Sequence, residues 1–454
     1  MAQLQTARRI VILGAAGRDF HNFNVAFRND PAQLVVAFTA AQIPGISGRM
    51  YPAVLAGEGY PDGIEIIGEE TLGLFIREHE IDDVVFAYSD VPHREVMRLA
   101  SVVLAAGADF RLQGPKATML SADLPVIAVS AVRTGVGKSQ TTRWLAQLVR
   151  QTGLRPVIIR HPMPYGNLRL QEVQRFEDLD DLDAAECTIE EREEYEPHIR
   201  AGNVVFAGVD YEKIIAQASL EAHILLWDGG NNDFPFVRPD LHIVLVDPLR
   251  PGHETTHHPG EAVLRMADIV VVAKCNSAAE ADVRSVTEKV SAIVPDAQIV
   301  KAGSKVYLQD ESAIREKSVI VIDDGPTLTH GGMAYGAGYI AAVRAGAKEI
   351  IDPRQSATGE IRDVFARFPH VGKVLPAMGY SQSEREDLAA TINASGADLV
   401  VTGTPSDLES LLELNIPVVR ALYDFEDISE PGLGALIKGF LVSSGLVDKG
   451  ELVS

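Results

Sequence analysis

This chain of 454 residues has few cysteines, few aromatic residues and fewer basic than acidic side chains. Its two cysteines, Cys187 and Cys275, are far apart and form no CxxC motif, which excludes a disulfide scaffold and gives no indication of a zinc ribbon. With 41 Lys and Arg against 63 Asp and Glu, the net charge is 41 − 63 = −22, which argues against a general nucleic-acid-binding protein. No apolar run approaches the roughly 20 residues of a membrane helix, and the N-terminus carries no signal-peptide core. The sequence therefore predicts a cytoplasmic protein that binds neither membranes nor nucleic acid.

Short β-branched segments alternate with longer amphipathic segments along most of the chain. This alternation is typical of α/β proteins with mostly parallel sheets, and at roughly 100–200 residues per domain the length predicts two or three domains. We expect a Rossmann-like α/β domain over residues 1–122 and a P-loop NTPase domain with a mostly parallel sheet over residues 123–348. Residues 349–454 are predicted to form an α/β region that is either separate or part of the P-loop domain. The strands with a clear pattern include residues 9–13, 125–132, 156–160, 241–246 and 399–402.

The strongest motif is a phosphate-binding loop at residues 131–139 (AVRTGVGKS), between a predicted strand and a predicted helix over residues 138–151. Its glycines let the backbone turn N–H groups toward a phosphate chain. Lys138 is expected to reach the β- and γ-phosphates, and the Ser139 hydroxyl is expected to bind Mg²⁺. The predicted nucleotide-binding residues of the loop are Thr134, Gly135, Val136, Gly137, Lys138, Ser139 and Gln140.

The loop departs from GxxxxGK[ST] because Val132 occupies the position of the first glycine. It is more similar to the KGGxGK[ST] loop of the deviant P-loop ATPases. Arg133 stands at the position of the leading lysine of that pattern. Since a guanidinium binds phosphate in a bidentate manner, Arg133 is predicted to act with Lys138 on the transferring phosphoryl group.

Two further strand ends complete the predicted nucleotide site. Residues 223–227 are mostly apolar and lead into Asp228, which is the pattern of a Walker B strand. Asp228 is therefore predicted to hold Mg²⁺ through water or to orient a nucleophile. Residues 269–273 lead into Lys274 and Asn276, which resembles the NKxD strand end of P-loop GTPases. Because an amide offers guanine fewer acceptors than a carboxylate, Asn276 favours ATP, while GTP stays open.

Basic side chains and histidines follow several other predicted strands and form a set of candidate anion ligands. Parallel strands bring their carboxyl ends to one edge of a sheet, so these groups are predicted to lie near the γ-phosphate. For Arg160 a salt bridge to an acidic segment is the structural alternative. The turn at residues 14–17 matches a dinucleotide loop only in part, so a substrate anion beside Arg18 and a dinucleotide-binding module are both open. The candidates for substrate binding are Arg18, Arg160, His161, Arg250, His253 and His330.

Residues 177–196 are the compositional anomaly, because eleven of the twenty are acidic and only Arg192 is basic. One interpretation is a solvated helix or a mobile excursion. The other is a lid that shields or repels charge near the active site.

Four segments together resemble the cyclic 2,3-diphosphoglycerate synthetase family: residues 132–140 (VRTGVGKSQ), 160–166 (RHPMPYG), 250–254 (RPGHE) and 324–332 (DGPTLTHGG). The resemblance extends over nearly the whole chain. It implies an ATP-dependent ligase that uses Mg²⁺ and closes an intramolecular phosphoanhydride in 2,3-diphosphoglycerate, releasing ADP and phosphate. The implied ligand is a small anionic phosphorylated substrate, and a homodimer is expected because such families often pair their P-loop domains.

An alternative from another class is a regulatory GTPase or ATPase switch, or a metallochaperone-like NTPase. The histidines between His253 and His258 and the acidic segment favour it. His253 and His257 have the i, i+4 spacing of metal ligands on a helix, although the prolines and glycine around them argue against a helix there.

Overall fold

The computed structural model describes residues 7–15, 17–40, 48–161, 166–329, 331–378, 382–404 and 408–448. The N-terminal elements are β1 (Arg8–Leu13), α1 (Arg18–Asn22), β2 (Gln33–Ala40), β3 (Met50–Tyr51), α2 (Ala53–Ala56), β4 (Ile64–Gly68), α3 (Leu72–Glu78), β5 (Asp83–Phe86), β6 (Val91–Pro92), α4 (His93–Ala106) and β7 (Asp109–Leu112). The central elements are β8 (Val126–Ala131), α5 (Lys138–Gln151), β9 (Pro156–Arg160), β10 (Gln174–Phe176), α6 (Leu179–Ala184), α7 (Ile189–Arg200), β11 (Val204–Ala207), α8 (Tyr211–Ala218), β12 (Ile224–Asp228), β13 (Leu241–Val246), β14 (His257–His258), α9 (Gly260–Leu264), β15 (Ile269–Val272), α10 (Glu280–Ile293) and β16 (Gln298–Leu308). The C-terminal elements are β17 (Ser318–Asp323), α11 (Gly325–Leu328), α12 (Ala337–Arg344), β18 (Glu349–Ile350), α13 (Gly359–Arg367), β19 (Leu375–Pro376), α14 (Gln382–Asn393), β20 (Leu399–Thr402), α15 (Leu408–Leu411), β21 (Val418–Asp427) and α16 (Leu433–Ser443).

The N-terminal strands form a six-stranded sheet in the order β3-β4-β2-β1-β5-β7. All neighbours are parallel except β3 and β4. Side chains alternate between its faces, so Ile10 and Ile12 pack with one apolar cluster and Val11 and Leu13 with another. A parallel sheet with both faces covered requires such apolar runs, and the predicted α/β fold class is confirmed.

The phosphate-loop strand β8 lies in the centre of a second sheet, between β12 and β13 and parallel to both. Strands β9 and β13 and helix α5 have the bounds that the sequence predicts. Ile127 and Val129 pack on one face of the sheet, whereas Val126 and Ala128 pack on the other. The parallel pairing brings the loops after β8, β9, β12 and β13 to one edge.

The second sheet continues into the C-terminal part of the chain. Long strand β21 pairs antiparallel with β16, and β20 then leads to β17, which also pairs with β18 and β19. Because β17 lies before residue 348 and its partners lie after it, the sheet has no break at the predicted boundary. Helix α16 returns to the core beneath the phosphate loop, where Leu433, Ile437 and Leu441 are buried. None of the helices in the described ranges is long and apolar enough to cross a membrane.

The acidic segment at residues 177–196 folds into α6 and α7. Each helix starts with a capping box, formed in α7 by the Thr188 side chain with the N–H of Glu191 and by the Glu191 side chain with the N–H of Thr188. The interpretation as a solvated helix is wrong for α7, because Glu190, Glu193 and Glu196 are buried. Tertiary packing of Ile189, Tyr195 and Ile199 against the second sheet, which composition does not reveal, accounts for the difference.

Candidate nucleotide and substrate site

The main cavity lies where the carboxyl ends of strands from all three parts of the chain meet. Its volume is about 610 Å³, a size that accommodates a nucleotide or another small ligand. The N-terminal part contributes residues 17–19 and 87–90, and the central part contributes the phosphate loop. The C-terminal part contributes residues 324, 326, 327 and 332–337. The described structure therefore places a candidate site between the three parts.

The phosphate loop has the backbone conformation that its glycines allow. Gly135 and Gly137 have φ values of +74° and +121°, which a side chain would strain. A Cβ atom on Gly135 would also lie 2.8 Å from Oγ1 of Thr327. The Nζ of Lys274 donates to the carbonyl of Gly135 at 2.6 Å. The loop is thus held from both sides, and α5 begins at Lys138 with its N-terminal end toward the cavity.

Lys138 lines the cavity, and its Nζ donates to the carbonyl of Asn231 at 2.5 Å. Burial lowers the pKa of Lys138 to about 8, and the nearby charge of Arg160 acts in the same direction. The lysine makes no ion pair with a carboxylate of the described residues. It is therefore a cation poised to accept anionic ligand oxygens.

The affinity for ATP should fall as the pH rises through 8, because a lysine with a lowered pKa loses its charge there in the empty site. The phosphates of bound ATP favour the charged form of Lys138, so ATP binding above pH 8 is accompanied by the uptake of a proton. We expect Kd for a non-hydrolysable ATP analogue to increase roughly fivefold between pH 8 and pH 9. Titration calorimetry measures this change. Lys138→Arg is the control, since arginine stays charged throughout; an unchanged pH profile in that variant would contradict the assignment.

Asp90 joins the N-terminal sheet to the phosphate loop. Its carboxylate accepts from Nε of Arg133 at 2.5 Å and from the N–H of Thr134 at 3.0 Å. Although burial opposes ionisation, Arg133 holds the pKa of Asp90 below its usual value. Arg133 also contacts Nδ1 of His253. Arg133 is consequently turned toward Asp90 and does not line the cavity, so its predicted contact with the phosphoryl group requires a change of partner.

Asp228 ends β12 beside the phosphate-loop strand, as the Walker B pattern predicts, and is fully buried. Its carboxylate accepts from Thr142 Oγ1 at 3.2 Å and contacts His198 Nε2 at 2.8 Å, and Arg160 lies 3.6 Å away. Burial opposes ionisation, but the Arg160 charge and the His198 hydrogen bond hold the pKa of Asp228 below its ordinary value. Asp228 does not line the cavity, so its carboxylate is not in a position to bind Mg²⁺ directly in this structure.

Several predicted substrate cations line the cavity, but each already has a carboxylate partner. Arg18 pairs with Asp233 at 3.1 Å, and His161 lies 3.3 Å from the other oxygen of Asp233. Arg160 pairs with Glu194. The salt bridge to the acidic segment, which the sequence left as an alternative for Arg160, is thus present. These pairs reduce the positive charge that a free anion would meet.

Arg250 also lines the cavity and pairs with Asp247 at 2.8 Å. Its guanidinium donates to the carbonyls of Gly331 and Thr134 at 2.7 and 2.8 Å. Because it holds two backbone segments and one carboxylate, Arg250 supports the phosphate loop in this structure.

The structure brings most of the predicted site residues to the cavity. The predicted residues that line it are Arg18, Thr134, Gly135, Gly137, Lys138, Ser139, Gln140, Arg160, His161, Arg250 and Lys274. Those placed outside its lining are Arg133, Val136, Asp228, His253 and Asn276. His330 and residues 162–165 of the segment after β9 lie outside the described residues.

The two residues predicted to bind the base, Lys274 and Asn276, contact different parts of the protein. Lys274 contacts the phosphate loop and Asp247, with Nζ 3.2 Å from the carboxylate. Asn276 forms two hydrogen bonds with the backbone of Ser304, at 2.9 and 3.0 Å. The preference for adenine that Asn276 suggested therefore stays a prediction.

Several cavity residues were not anticipated from sequence. Arg143 lies four residues after Ser139 on α5 and so on the same helix face. Asp90 follows β5 at the carboxyl end of a parallel strand, a signal that was available. Asp324 carried the same signal because it follows β17, whereas Glu193 and Glu194 carried none, because their approach to the loop depends on the packing of α7.

For Mg²⁺ the cavity offers the Ser139 hydroxyl at the first turn of α5. Mg²⁺ commonly keeps several waters and takes phosphate oxygens as ligands, so one hydroxyl suits an ion that arrives with the nucleotide. Across the described ranges no three His, Cys, Asp or Glu residues are grouped to hold a metal ion. The structure therefore does not support the alternative that His253 and His257 bind a metal ion.

A strand-loop-helix phosphate cradle at the carboxyl edge of a parallel sheet, with a buried lysine facing the cavity, defines a P-loop nucleotide enzyme. The P-loop domain model of cyclic 2,3-diphosphoglycerate synthetase matches residues 198–302. Arginine synthetase ArcE of Thermococcus kodakarensis is 56% identical over 431 residues, which are 95% of this chain and 96% of that protein. The chain belongs to this family of synthetases and is an enzyme of the ATP-dependent ligase type.

Two more distant similarities were found. Cyclic 2,3-diphosphoglycerate synthetase of Rubrobacter xylanophilus is 34% identical over 114 residues, covering 23% of this chain and 26% of that protein. The crystal structure of LpxK from Aquifex aeolicus in complex with ATP is 16% identical, covers 71% of this chain and 90% of that chain, and gives a TM-score of 0.43. The predicted recognition of the family is confirmed, and the predicted enzyme class with it, so the regulatory switch gains no support.

Proposed function

We propose that this enzyme forms arginine by ATP-driven ligation of a nitrogen onto a ureido amino acid. The observation that carries the proposal is the 56% identity to arginine synthetase ArcE over 95% of the chain. The similarity to cyclic 2,3-diphosphoglycerate synthetase of Rubrobacter xylanophilus spans 23% of the chain. A whole-chain relationship includes the substrate-facing residues of all three parts, whereas the shorter one does not.

The chemistry explains why such a ligase needs a phosphate loop. A urea oxygen is a poor leaving group, so the oxygen first attacks the γ-phosphorus of ATP; that P–O bond forms as the β–γ bridging bond breaks and ADP leaves. The lone pair of ammonia or an amine then attacks the activated carbon, the C–O bond breaks, phosphate departs with the oxygen, and nitrogen gives up a proton. The predicted phosphoryl transfer to one phosphate of 2,3-diphosphoglycerate follows the same first step with a different acceptor.

The protein groups suit the first step. Lys138 supplies a cation whose burial strengthens its interaction with the γ-phosphoryl group. The loop N–H groups and the start of α5 favour the remaining phosphate charge. Arg143 lines the cavity beyond Ser139 and makes no ion pair among the described residues, so it is a second cation for the transferring group. Mg²⁺ bound with the nucleotide, with Ser139 as a ligand, would neutralise further phosphate charge.

The charge of the cavity favours an amino acid over a bisphosphate. Arg18, Arg160 and Arg250 each pair with a carboxylate. A substrate with two phosphates would need several free cations to overcome its own repulsion. A neutral urea group on a zwitterionic amino acid makes no such demand. Cyclic 2,3-diphosphoglycerate formation is the second candidate, favoured by the family model over residues 198–302.

Product analysis with two substrate sets tests the proposal. The purified enzyme with ATP, Mg²⁺, citrulline and ammonium should form arginine, ADP and phosphate in equal amounts. With citrulline labelled with ¹⁸O in its urea group, the label should appear in the released phosphate. Formation of cyclic 2,3-diphosphoglycerate from 2,3-diphosphoglycerate, without arginine in the other set, would overturn the arginine assignment in favour of the second candidate. Lys213→Ala, an exposed change on α8, is the control and should leave both rates unchanged.

A further inference from the structure

Two cavity carboxyl groups, Glu193 and Asp324, stand apart from the other acidic residues of the site. Glu193 on α7 is 6% exposed, and its Oε1 accepts a hydrogen bond from Thr404. Its Oε2 is buried, accepts no N–H or O–H in the described structure, and the side chain faces the carboxyl group of Asp324. Asp324 caps α11 by accepting from the N–H of Thr327 at 2.9 Å. Both side chains line the cavity.

Three other acidic groups of the cavity have cationic partners, and a fourth, Asp19, accepts hydrogen bonds from the N–H groups of Gly17 and Phe20 at 3.0 and 2.7 Å. Asp90 pairs with Arg133, Glu194 with Arg160 and Asp233 with Arg18. Within the described ranges, Glu193 and Asp324 have no ion pair. The cavity therefore contains an acidic position that the chain itself leaves without a counterion.

An unpaired carboxyl group in this position is unfavourable in the empty protein. Burial raises the pKa of Glu193 well above its ordinary value, and the charge of Asp324 raises it further. A buried carboxyl oxygen without a partner also loses its hydration without compensation. A ligand that brings a positive charge and N–H donors would relieve both effects.

The acidic pair lies beside the phosphate loop. Asp324 is bonded to Thr327, and Thr327 is the residue that a Cβ atom on Gly135 would contact at 2.8 Å. The charges of Glu193, Asp324 and Arg143 all act on Tyr423, which lines the same cavity. A group bound by the pair consequently lies beside the phosphate loop.

We propose that Glu193 and Asp324 bind a cationic nitrogen group, an ammonium or a guanidinium, of the non-nucleotide ligand. A guanidinium carries several N–H donors in one plane and matches carboxylate oxygens. A metal ion does not fit equally well, because no group of three metal-ligating side chains occurs in the described part of the chain. The inference rests on the proposed function in one respect: it assigns this position to the reacting end of the amino acid side chain, where the incoming ammonium binds and the guanidinium of the product forms.

The inference is tested by measuring how Glu193→Gln binds three cations and citrulline, whose side chain is neutral. Glutamine keeps the shape and the hydrogen bond to Thr404 but removes the charge. Calorimetry with arginine, methylguanidinium and ammonium should give at least a tenfold weaker Kd in the variant for a cation that the wild-type protein binds. The Kd for citrulline should change less than threefold, and that for the ATP analogue should stay the same. Glu212→Gln, an exposed change on α8, is the matched control.

Asp324→Asn provides a second variant, because asparagine retains the cap of α11, and it carries the test if Glu193→Gln does not fold. Equal cation affinity in the wild-type protein and the folded variant would overturn the inference. Failure of all three cations to bind the wild-type protein would overturn it too. If the variants lose cation binding selectively but the wild-type enzyme forms no arginine from citrulline, the inference is supported and the proposed function is wrong.

Discussion

Replacing Lys138 by alanine should lower the turnover of the ATP-driven reaction by about 10³-fold, because the variant loses the buried cation that faces the transferring phosphoryl group. Lys138 Nζ lies 2.5 Å from the carbonyl of Asn231 in the cavity wall. Lys274, which also lines the cavity, does not take this position, since it is bound to the Gly135 carbonyl and to Asp247. Release of ADP under saturating ATP and substrate measures the effect.

The control for this experiment is Lys213→Ala, which removes an exposed lysine from α8. Its turnover should stay within twofold of the wild-type value. Because alanine at position 138 also leaves space and relieves the burial of a charge, the folded state of that variant should be as stable as the wild type in thermal unfolding. A stable Lys138→Ala protein that retains a tenth of the activity would refute the role assigned to the lysine.

Replacing Asp228 by alanine should lower the free energy of unfolding by about 3–5 kcal/mol, because it leaves a buried guanidinium and a buried imidazole without their carboxylate. The Asp228 side chain contacts His198 at 2.8 Å and Thr142 at 3.2 Å, and Arg160 lies 3.6 Å away. Urea unfolding followed by the tryptophan fluorescence of the protein, to which buried Trp227 next to Asp228 contributes, measures the loss.

Asp228→Asn separates charge from shape, since the amide can still bond to Thr142 or His198. We expect a smaller loss of stability than with alanine. Asp296→Ala, in an exposed turn, is the control and should change the unfolding free energy by less than about 0.5 kcal/mol. Equal stability of Asp228→Ala and the wild type would contradict the buried network.

The network also predicts a direction for acid unfolding. The pKa of Asp228 is lowered in the folded protein, so its contribution is fully present above its unfolded value of about 3.9 and is lost as the pH falls toward the lower folded value. The difference in stability between the wild type and Asp228→Asn should therefore shrink only below about pH 4.

Local chemistry was enough to predict the phosphate loop and the elements around it. Gly137 precedes a helix that begins at Lys138, and Gly153 follows its end. The β-branched runs on either side are typical of strands in a parallel sheet that is buried on both faces. The α/β class, the strand bounds of β9, β13 and β20, and the family resemblance follow from such short-range patterns.

Partnership between distant residues was not accessible in the same way. Arg133 and Asp90 are 43 positions apart, and Glu193 and Asp324 lie on widely separated connections of the second sheet. The sequence pattern predicted that Arg133 binds an anion, but it did not predict that Arg133 pairs with Asp90, a carboxylate that follows a strand of the N-terminal sheet. The acidic composition of residues 177–196 favoured solvent exposure because charges are costly to bury without partners. In α7 Arg160 pairs with Glu194 from elsewhere in the chain, whereas Arg200 of the same helix pairs with Glu196.

The order of residues along the chain thus determined where backbone turns and helix starts occur, since glycine conformations and capping depend on near neighbours. It also predicted a nucleoside-phosphate site at Lys138. Tertiary structure alone decided which charges are neutralised, which carboxyl groups remain without a counterion, and which strand ends share one cavity. The reason is that electrostatic energy depends on distance in space and on burial, and neither is specified by separation along the chain.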